Sequence, residues 1–193
     1  MTESLATRLQ RHAFNLFPAY FGTGARIVHI ARDWREVRVE LPLTLRTRNY
    51  VGTLFGGSMY GAVDPVYMIM LIKTLGPGYV VWDKSAAIRF LRPGRSTLHA
   101  RFRLEEDELR AIRSALEAAP AVERVYAIEL VDEAGQVCAR VEQTVHVAMR
   151  APATASPGPL SRAAGEGRAE GAEHREMVSA SRSRAGGSSS PTR

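Results

Sequence analysis

The stretch that decides the fold is NYVGTLFGGSMYGAVD, residues 49–64. It is mostly apolar, yet it contains four glycines, two of them adjacent, and it ends on an acid. Glycine weakens both helices and strands, and a carboxylate among apolar residues is costly to bury unless it is paired or neutralised. The question is what the chain gains by placing Gly56, Gly57 and Asp64 in such a segment.

A helix over residues 57–74 gives one answer. The amides near Gly57 would then lack partners within the helix, and a residue without a side chain lets a ligand oxygen approach them closely. This geometry favours an oxyanion site. Asp64 would share a side of the helix with Gly57 but lie about 10 Å further along the axis, at 1.5 Å per residue. A carbonyl held at Gly57 could therefore react only with Asp64 of a second chain.

A second interpretation makes Asp64 a structural residue. Asp followed by Pro is typical of a helix N-cap and first helical position, and a residue before proline avoids the helical region. The helix would then begin at Pro65, Asp64 would be its cap, and the glycine pair would form a turn. The residues alone leave both interpretations open.

The rest of the chain predicts an α+β protein. Apolar residues at helical spacing run over residues 4–17 and again over 105–119, where acids occupy the end that the helix dipole favours. Apolar or alternating runs predict strands at residues 26–31, 36–43, 79–91, 97–104, 122–131 and 137–147. This order fits a central helix packed on one face of an antiparallel sheet. Its open edges favour association with a second copy.

Composition divides the chain near residue 150. Residues 1–149 have the apolar content of one folded domain, whereas residues 150–193 are mainly Ala, Gly, Ser, Pro and Arg. Because the second segment has little to bury, it cannot offset the entropy lost on ordering. We expect it to be a disordered tail.

Charge and composition also limit the classes of ligand and partner to expect. The net charge of +6 is compatible with anionic ligands or with a basic surface that has no specific ligand. No basic run is interleaved with aromatic residues, so we expect no nucleic-acid partner. The histidines lack metal-ligand spacing and Cys138 is the only cysteine, so we expect no metal.

Residues 51–75 carry Asp-Pro at their centre, which argues against a membrane span. Without the apolar core of a secretory signal at the start, we expect a cytoplasmic protein.

Several motifs in order resemble those of the hotdog-fold thioesterases, most closely the phenylacetyl-CoA thioesterase-like branch and, within it, a subgroup of uncharacterised hotdog domains. That family has a polar residue, usually Asn, then His-Gly-Gly, then an acid seven residues after the second glycine. The corresponding residues here are Asn49, Phe55-Gly56-Gly57 and Asp64. The family's following strand reads FLRP-x-x-G-x-L-x-A, and residues 90–100 read FLRPGRSTLHA. The similarity covers residues 25–148.

The resemblance implies a hotdog fold, with a long helix wrapped by an antiparallel sheet and paired as a dimer or a dimer of dimers. The helix would start at the glycine pair, and Pro65 would kink it at a cost of about 3 kcal/mol. Asp64 would act as general base or nucleophile toward an acyl-CoA thioester. The amide of Gly57 would polarise the carbonyl, and Asn49 would position substrate or water. Coenzyme A would enter as part of the substrate, with no further cofactor.

The chain departs from the family where Phe55 replaces the histidine. Phe55 could instead line an acyl pocket, and a hotdog protein that binds acyl groups without hydrolysing them would have a similar sequence. Lys84 could meet Asp64 across an interface, contact an anionic ligand, or be a solvated strand end. Arg92 belongs to an arginine cluster that suits coenzyme A phosphates or that arises by chance. The candidate substrate-binding residues are Phe55, Gly56, Tyr60, Tyr67, Met68, Lys84 and Arg92.

Overall fold

The structure, a computed structural model, describes residues 2–150. The helices are α1 (Leu5–Leu16), α2 (Pro18–Thr23), α3 (Gly56–Val63), α4 (Val66–Leu75) and α5 (Glu106–Ala118). The strands are β1 (Arg26–Ile30), β2 (Glu36–Leu41), β3 (Tyr79–Phe90), β4 (Leu98–Arg103), β5 (Ala121–Val131) and β6 (Val137–Met149). The predicted tail, residues 150–193, lies outside the described residues except for Arg150.

All six strands form one antiparallel sheet in the order β1-β2-β4-β5-β6-β3. Strand β6 pairs along its length with β5 on one side and with β3 on the other. Strands β4 and β5 share only one registered pair, His99 with Val131. β1 and β3 are therefore the two edges of the sheet, and β3 presents an unpaired side within this chain.

The core lies between one face of the sheet and the central helices α3 and α4. In β4 the alternation is strict, with Leu98, Ala100 and Phe102 buried and the residues between them exposed. The helices contribute Met59, Ala62, Val63, Val66 and Met70, all nearly inaccessible. This arrangement confirms the predicted α+β class, in which a central helix packs against an antiparallel sheet.

The central helix breaks at Asp64 and Pro65 without leaving the helical region. Asp64 has φ −45° and ψ −55°, and Pro65 has φ −83° and ψ −6°. The helix begins at Gly56, so the interpretation of Asp64 as the N-cap of a helix starting at Pro65 is wrong. An N-cap needs extended backbone, and Asp64 does not have it.

Side chains from distant elements bind the backbone at this break. Proline has no N–H, so the regular pattern of helical hydrogen bonds is interrupted there. The Tyr20 hydroxyl in α2 donates to the Ala62 carbonyl at 3.1 Å, and Gln143 Nε2 in β6 donates to the Asp64 carbonyl at 2.6 Å. Both side chains are buried. The break is thus a bonded feature of the fold that fixes the position of Asp64.

Helix α1 covers the outer edge of the sheet at β1. The Asn15 side chain donates to the Ile27 carbonyl at 2.9 Å and accepts from the Ile27 amide at 2.8 Å. A carboxylate oxygen of Glu3 accepts from the Ile30 amide at 3.3 Å. These bonds take the place of a neighbouring strand, and they hold the N-terminal helices beside the central helix.

The helices of this domain are short. The longest, α5, has 13 residues. Among residues 2–150, no helix combines the length and the apolar character needed to cross a bilayer.

We expect Tyr20→Phe to lower the free energy of unfolding by about 1–3 kcal/mol, because the buried Ala62 carbonyl would lose its donor while the aromatic packing stays the same. The measurement is the midpoint of urea denaturation at unchanged slope. Tyr50→Phe is the matched control, since Tyr50 is fully exposed in a loop. Equal stability of the two variants would contradict the role assigned to the Tyr20 hydroxyl.

Candidate active site on the central helix

The carboxylate of Asp64 lies half-buried at the end of α3. Its backbone is held on both sides, because its amide donates to the Tyr60 carbonyl at 3.0 Å and its carbonyl accepts from Gln143. The Tyr60 side chain lies one helical turn earlier. Burial, then a hydrogen bond and the negative charge of Asp64, raise the pKa of Tyr60 to about 12. Tyr60 therefore stays a neutral hydrogen-bond donor beside the carboxylate.

A second carboxylate, Asp83 in β3, approaches the same place. It pairs in register with Val145, a buried residue of β6, and this places its side chain on the inner face of the sheet. Burial raises the pKa of Asp83 to about 6, with the charge of Asp64 as the second cause and Gln143 as a partial offset. Asp83 Oδ1 and Gln143 Oε1 are both buried and find no hydrogen-bond partner among the described residues. A proton on Asp83 would supply a missing donor.

The two carboxylates are therefore not equivalent. When two acids share a site, burial and like charge push their pKa values apart. Here Asp83 is the acid whose pKa is raised, by burial first and by the charge of Asp64 second.

The glycine pair occupies the N-terminal end of α3. Phe55, immediately before the helix, offers no side-chain cap to its first amides. A Cβ on Gly57 would collide with the Phe55 ring, and one on Gly56 would lie 2.8 Å from the Phe90 ring. A side chain at either position would therefore have to displace a phenylalanine ring. Gly57 is exposed, as is more than half of the Phe55 side chain.

A cleft of about 400 Å³ opens beside this end of the helix. Asn49, Gly56 and Arg92 line it, together with Phe90 and the neighbouring apolar residues. Three predicted site residues are thus brought together. The Asn49 side chain holds its own loop, since Nδ2 donates to Thr53 Oγ1 at 2.9 Å and Oδ1 accepts from the Thr53 amide at 3.0 Å. Its role toward a substrate stays a prediction.

The other predicted residues lie elsewhere. Tyr67 is buried in the core, where its ring stacks on Tyr126 at 4.2 Å. Lys84 is the extra residue at an irregularity of β3, and it forms an ion pair with Glu123. Met68 lines an apolar cavity together with Asp64. Within one chain, then, Lys84 meets Glu123 rather than Asp64, and Tyr67 packs in the core rather than lining either cavity.

Sequence reasoning did not assign a role to three residues near these sites. For Asp83, the available signal was an acid in an otherwise apolar strand. Gln143 interrupts the buried positions of β6, a pattern that marks a polar group with a partner in the core. Phe90 precedes the Leu-Arg-Pro motif and gave no separate signal. Among residues 2–150, no group of three or more His, Cys, Asp or Glu could hold a metal ion.

Comparison with known proteins gives the family and the fold. The model of the family described as "Domain of unknown function (DUF4442)" matches residues 6–147. None of the curated proteins matches the chain. A Pseudomonas aeruginosa protein of unknown function, described as a probable thioesterase, has a similar structure, with a TM-score of 0.67 and 20% identity. The match covers 77% of this chain and 99% of that one.

Two further solved structures are similar. A Haemophilus influenzae thioesterase matches with a TM-score of 0.55 and 20% identity over 77% of this chain and 93% of its own. A mutant thioesterase from Pseudomonas aeruginosa matches with a TM-score of 0.57 and 17% identity over 78% of this chain and 97% of its own. At such identities the similarity shows the fold alone. It confirms the predicted hotdog fold and the resemblance to hotdog-fold thioesterases at that level.

We expect Asp83→Asn to stabilise the protein at pH 7. The pKa of Asp83 is raised in the folded state from its ordinary 3.8 to about 6, so the folded state binds more protons between these values. The free energy of unfolding therefore falls as the pH rises between these two values. The cost of ionising Asp83 in the folded state persists at higher pH. Asparagine does not ionise and escapes the penalty.

The measurement is the melting temperature of both proteins from pH 4 to pH 8. The difference in melting temperature, variant minus wild type, should be near zero at pH 4, grow up to about pH 6 and then stay constant. A pH-independent difference, or a variant less stable at pH 7, would show that Asp83 is ionised without cost.

Proposed function

The chain belongs to the family described as a domain of unknown function (DUF4442), and we propose that it hydrolyses an acyl-CoA thioester. Asp64 is the general base or nucleophile, and the site is completed by a second copy of the chain. The observation that supports this proposal is the carboxylate pair at the break of the central helix. Asp64 is half-buried at this break, beside the neutral phenol of Tyr60. Its charge helps to raise the pKa of Asp83 to about 6, and a partly apolar setting of this kind is what a base or nucleophile requires.

The chemistry assigned to Asp64 is simple. Acting as a base, it takes a proton from water, whose oxygen adds to the thioester carbonyl carbon; the carbon–sulfur bond then breaks and the thiol leaves. Acting as a nucleophile, it adds to the carbonyl carbon, the carbon–sulfur bond breaks and the thiolate leaves, and water then hydrolyses the resulting anhydride. In both routes negative charge builds on the carbonyl oxygen, and a preorganised amide stabilises it. In this proposal Gly57 supplies that amide.

One chain cannot bring these groups to one carbon. Gly57 and Asp64 are seven residues apart within one helical run, about 10 Å along the axis. We therefore assign the oxyanion site and the base to different copies of the chain. The second half of β3 supports a dimer contact, because it pairs only with β6 and its residues are largely exposed. Edge strands of this kind favour pairing with another chain.

The cleft at Gly56 suits the coenzyme A part of the substrate. Arg92 at its rim donates to the Val137 carbonyl at 3.2 Å and is otherwise exposed. A guanidinium in this position can bind a phosphate oxygen. The proposal retains the cytoplasmic location expected from the sequence.

A non-catalytic acyl-binding protein is the second candidate, and Phe55 favours it. The ring stands where the resemblance places a histidine, and it packs against the Cα of Gly57. It adds no polar group at the carbonyl and covers part of the approach to the amide. Such a protein would keep the pocket and bind acyl-CoA without turnover.

The test is thiol release from a series of acyl-CoAs by the wild type, Asp64→Asn and Asp83→Asn. We expect Asp64→Asn to lose about 100-fold or more in kcat, the range for acid–base groups. Asp83→Asn is the matched control, because it removes the second acid with almost no change of shape and leaves Asp64 in place. It should stay within about tenfold of the wild type at pH 7.

Each result has a distinct meaning. Equal losses in both variants would mean that the two acids act as one unit, which overturns the division of roles. Full activity in Asp64→Asn would remove Asp64 from the chemistry. A folded wild type that binds every acyl-CoA offered but releases no thiol would establish the acyl-binding candidate instead.

A further inference from the structure

An apolar cavity of about 290 Å³ lies between the N-terminal helices and the break of the central helix. Aromatic rings of Phe14, Phe17 and Tyr20 form one wall. Met68 and Ile69 of α4 form the opposite wall. Thioesterase chemistry as described above makes no use of this space, and no predicted residue other than Asp64 and Met68 lines it.

The cavity has one charged group. Asp64 lines it at the helix break. The other polar side chains in the wall are already bonded, since the Tyr20 hydroxyl donates to the Ala62 carbonyl and Thr23 Oγ1 donates to the Tyr20 carbonyl at 2.7 Å. An occupant therefore needs an apolar body and, at Asp64, a polar end that carries no negative charge. A carboxylate end would be repelled by like charge.

The size of the cavity limits the occupant. Its volume equals about ten groups of the size of a water molecule, at about 30 Å³ each. An apolar group of up to about ten carbon atoms fills this space, and a sixteen-carbon chain would extend beyond it. Pockets of this kind, apolar with one convergent polar group, are the usual form of small-molecule sites.

We propose that this cavity holds the acyl group of the thioester, an uncharged apolar group of about ten carbons or fewer, with its carbonyl end beside Asp64. This inference rests on the proposed function, which it extends by naming the substrate class. Helices α1 and α2 then limit the length of the acyl group that the cavity can hold. Their position is fixed by the bonds of Asn15 to β1 and by the close contact of the Thr23 methyl with Gly61.

The first experiment measures binding without turnover. Acetyl-, octanoyl-, decanoyl- and hexadecanoyl-CoA are titrated into the Asp64→Asn protein by calorimetry, with coenzyme A alone as the reference. Affinity should rise up to about fourfold per methylene as far as ten carbons, from the transfer free energy of a buried methylene. Hexadecanoyl-CoA should gain nothing further. Equal affinity for acetyl- and decanoyl-CoA, or a continued gain to sixteen carbons, would overturn the proposal.

The second experiment fills the cavity. Ala19 lines it from α2 and is exposed, so Ala19→Trp places a ring in the space without disturbing a packed position. In the Asp64→Asn background, Ala19→Trp should weaken the binding of decanoyl-CoA at least tenfold and change the affinity for acetyl-CoA by no more than about twofold. Ala13→Trp is the control, because Ala13 is exposed on α1 and lines not this cavity but the cleft beside Lys73, which shares only the rings of Phe14 and Phe17 with it. Equal effects of the two tryptophans would assign the acyl group elsewhere.

The charge at Asp64 gives an independent measurement. Decanoate should bind the wild type more weakly than it binds Asp64→Asn, because only the wild type places a carboxylate against its head group. An unchanged affinity would remove Asp64 from the mouth of the acyl site.

These results separate the two proposals. Binding that depends on chain length and is lost in Ala19→Trp, together with no thiol release by the wild type, would keep the acyl site and reject the hydrolase. Thiol release that depends on Asp64 but responds equally to Ala19→Trp and Ala13→Trp would keep the hydrolase and reject this acyl site.

Discussion

The break at Pro65 is the constraint on which the arrangement of the site depends. A proline inside a helix removes one backbone donor and leaves carbonyls in need of partners. The Tyr20 hydroxyl and the Gln143 amide supply two of these partners, from opposite sides of the helix. The same bonds hold α2 on one side of the central helix and β6 on the other. The carboxylate of Asp64 therefore lies between the apolar cavity under the N-terminal helices and the inner face of the sheet that carries Asp83.

Electrostatics follows from this placement. Had Asp64 stood alone at a solvated helix end, its charge would have had little influence on other groups. Beside it, burial and like charge push the pKa of Asp83 upward, and the phenol of Tyr60 is held neutral. The site thus contains an acid whose pKa is raised to about 6, a second acid whose charge contributes to that shift, and a neutral phenol donor. Such a division is how proteins obtain acid and base behaviour from two identical side chains.

Much of the fold could be predicted from the sequence, and the reasons are local. Strict alternation in β4 and the acidic start of α5 are signals that a short window contains. Asp64 was different, because its local signals favoured an N-cap and the residue before a proline avoids the helical region. Hydrogen bonds from Tyr20 to Ala62 and from Gln143 to Asp64, over 42 and 79 residues, accompany the helical conformation instead. No local pattern reveals them. The face of the sheet on which the Asp83 side chain lies depends on the irregularity of β3 at Lys84. The apolar cavity depends on where α1 and α2 pack.

The separation of Gly57 and Asp64 along one helix has a further consequence for how such a site can work. If the amide and the carboxylate act on one carbonyl, each chain contributes the helix start to one site and the helix break to another, so a symmetric dimer contains two sites and neither exists in a monomer. The acyl cavity, however, is built entirely within one chain, on the Asp64 side of the helix. In the proposed complex the acyl group therefore belongs to the chain that supplies the base, and the coenzyme A end extends toward the partner's glycine pair. A substrate held in this way spans the contact between the copies, and the length of its acyl group and the recognition of its carrier are determined by different chains.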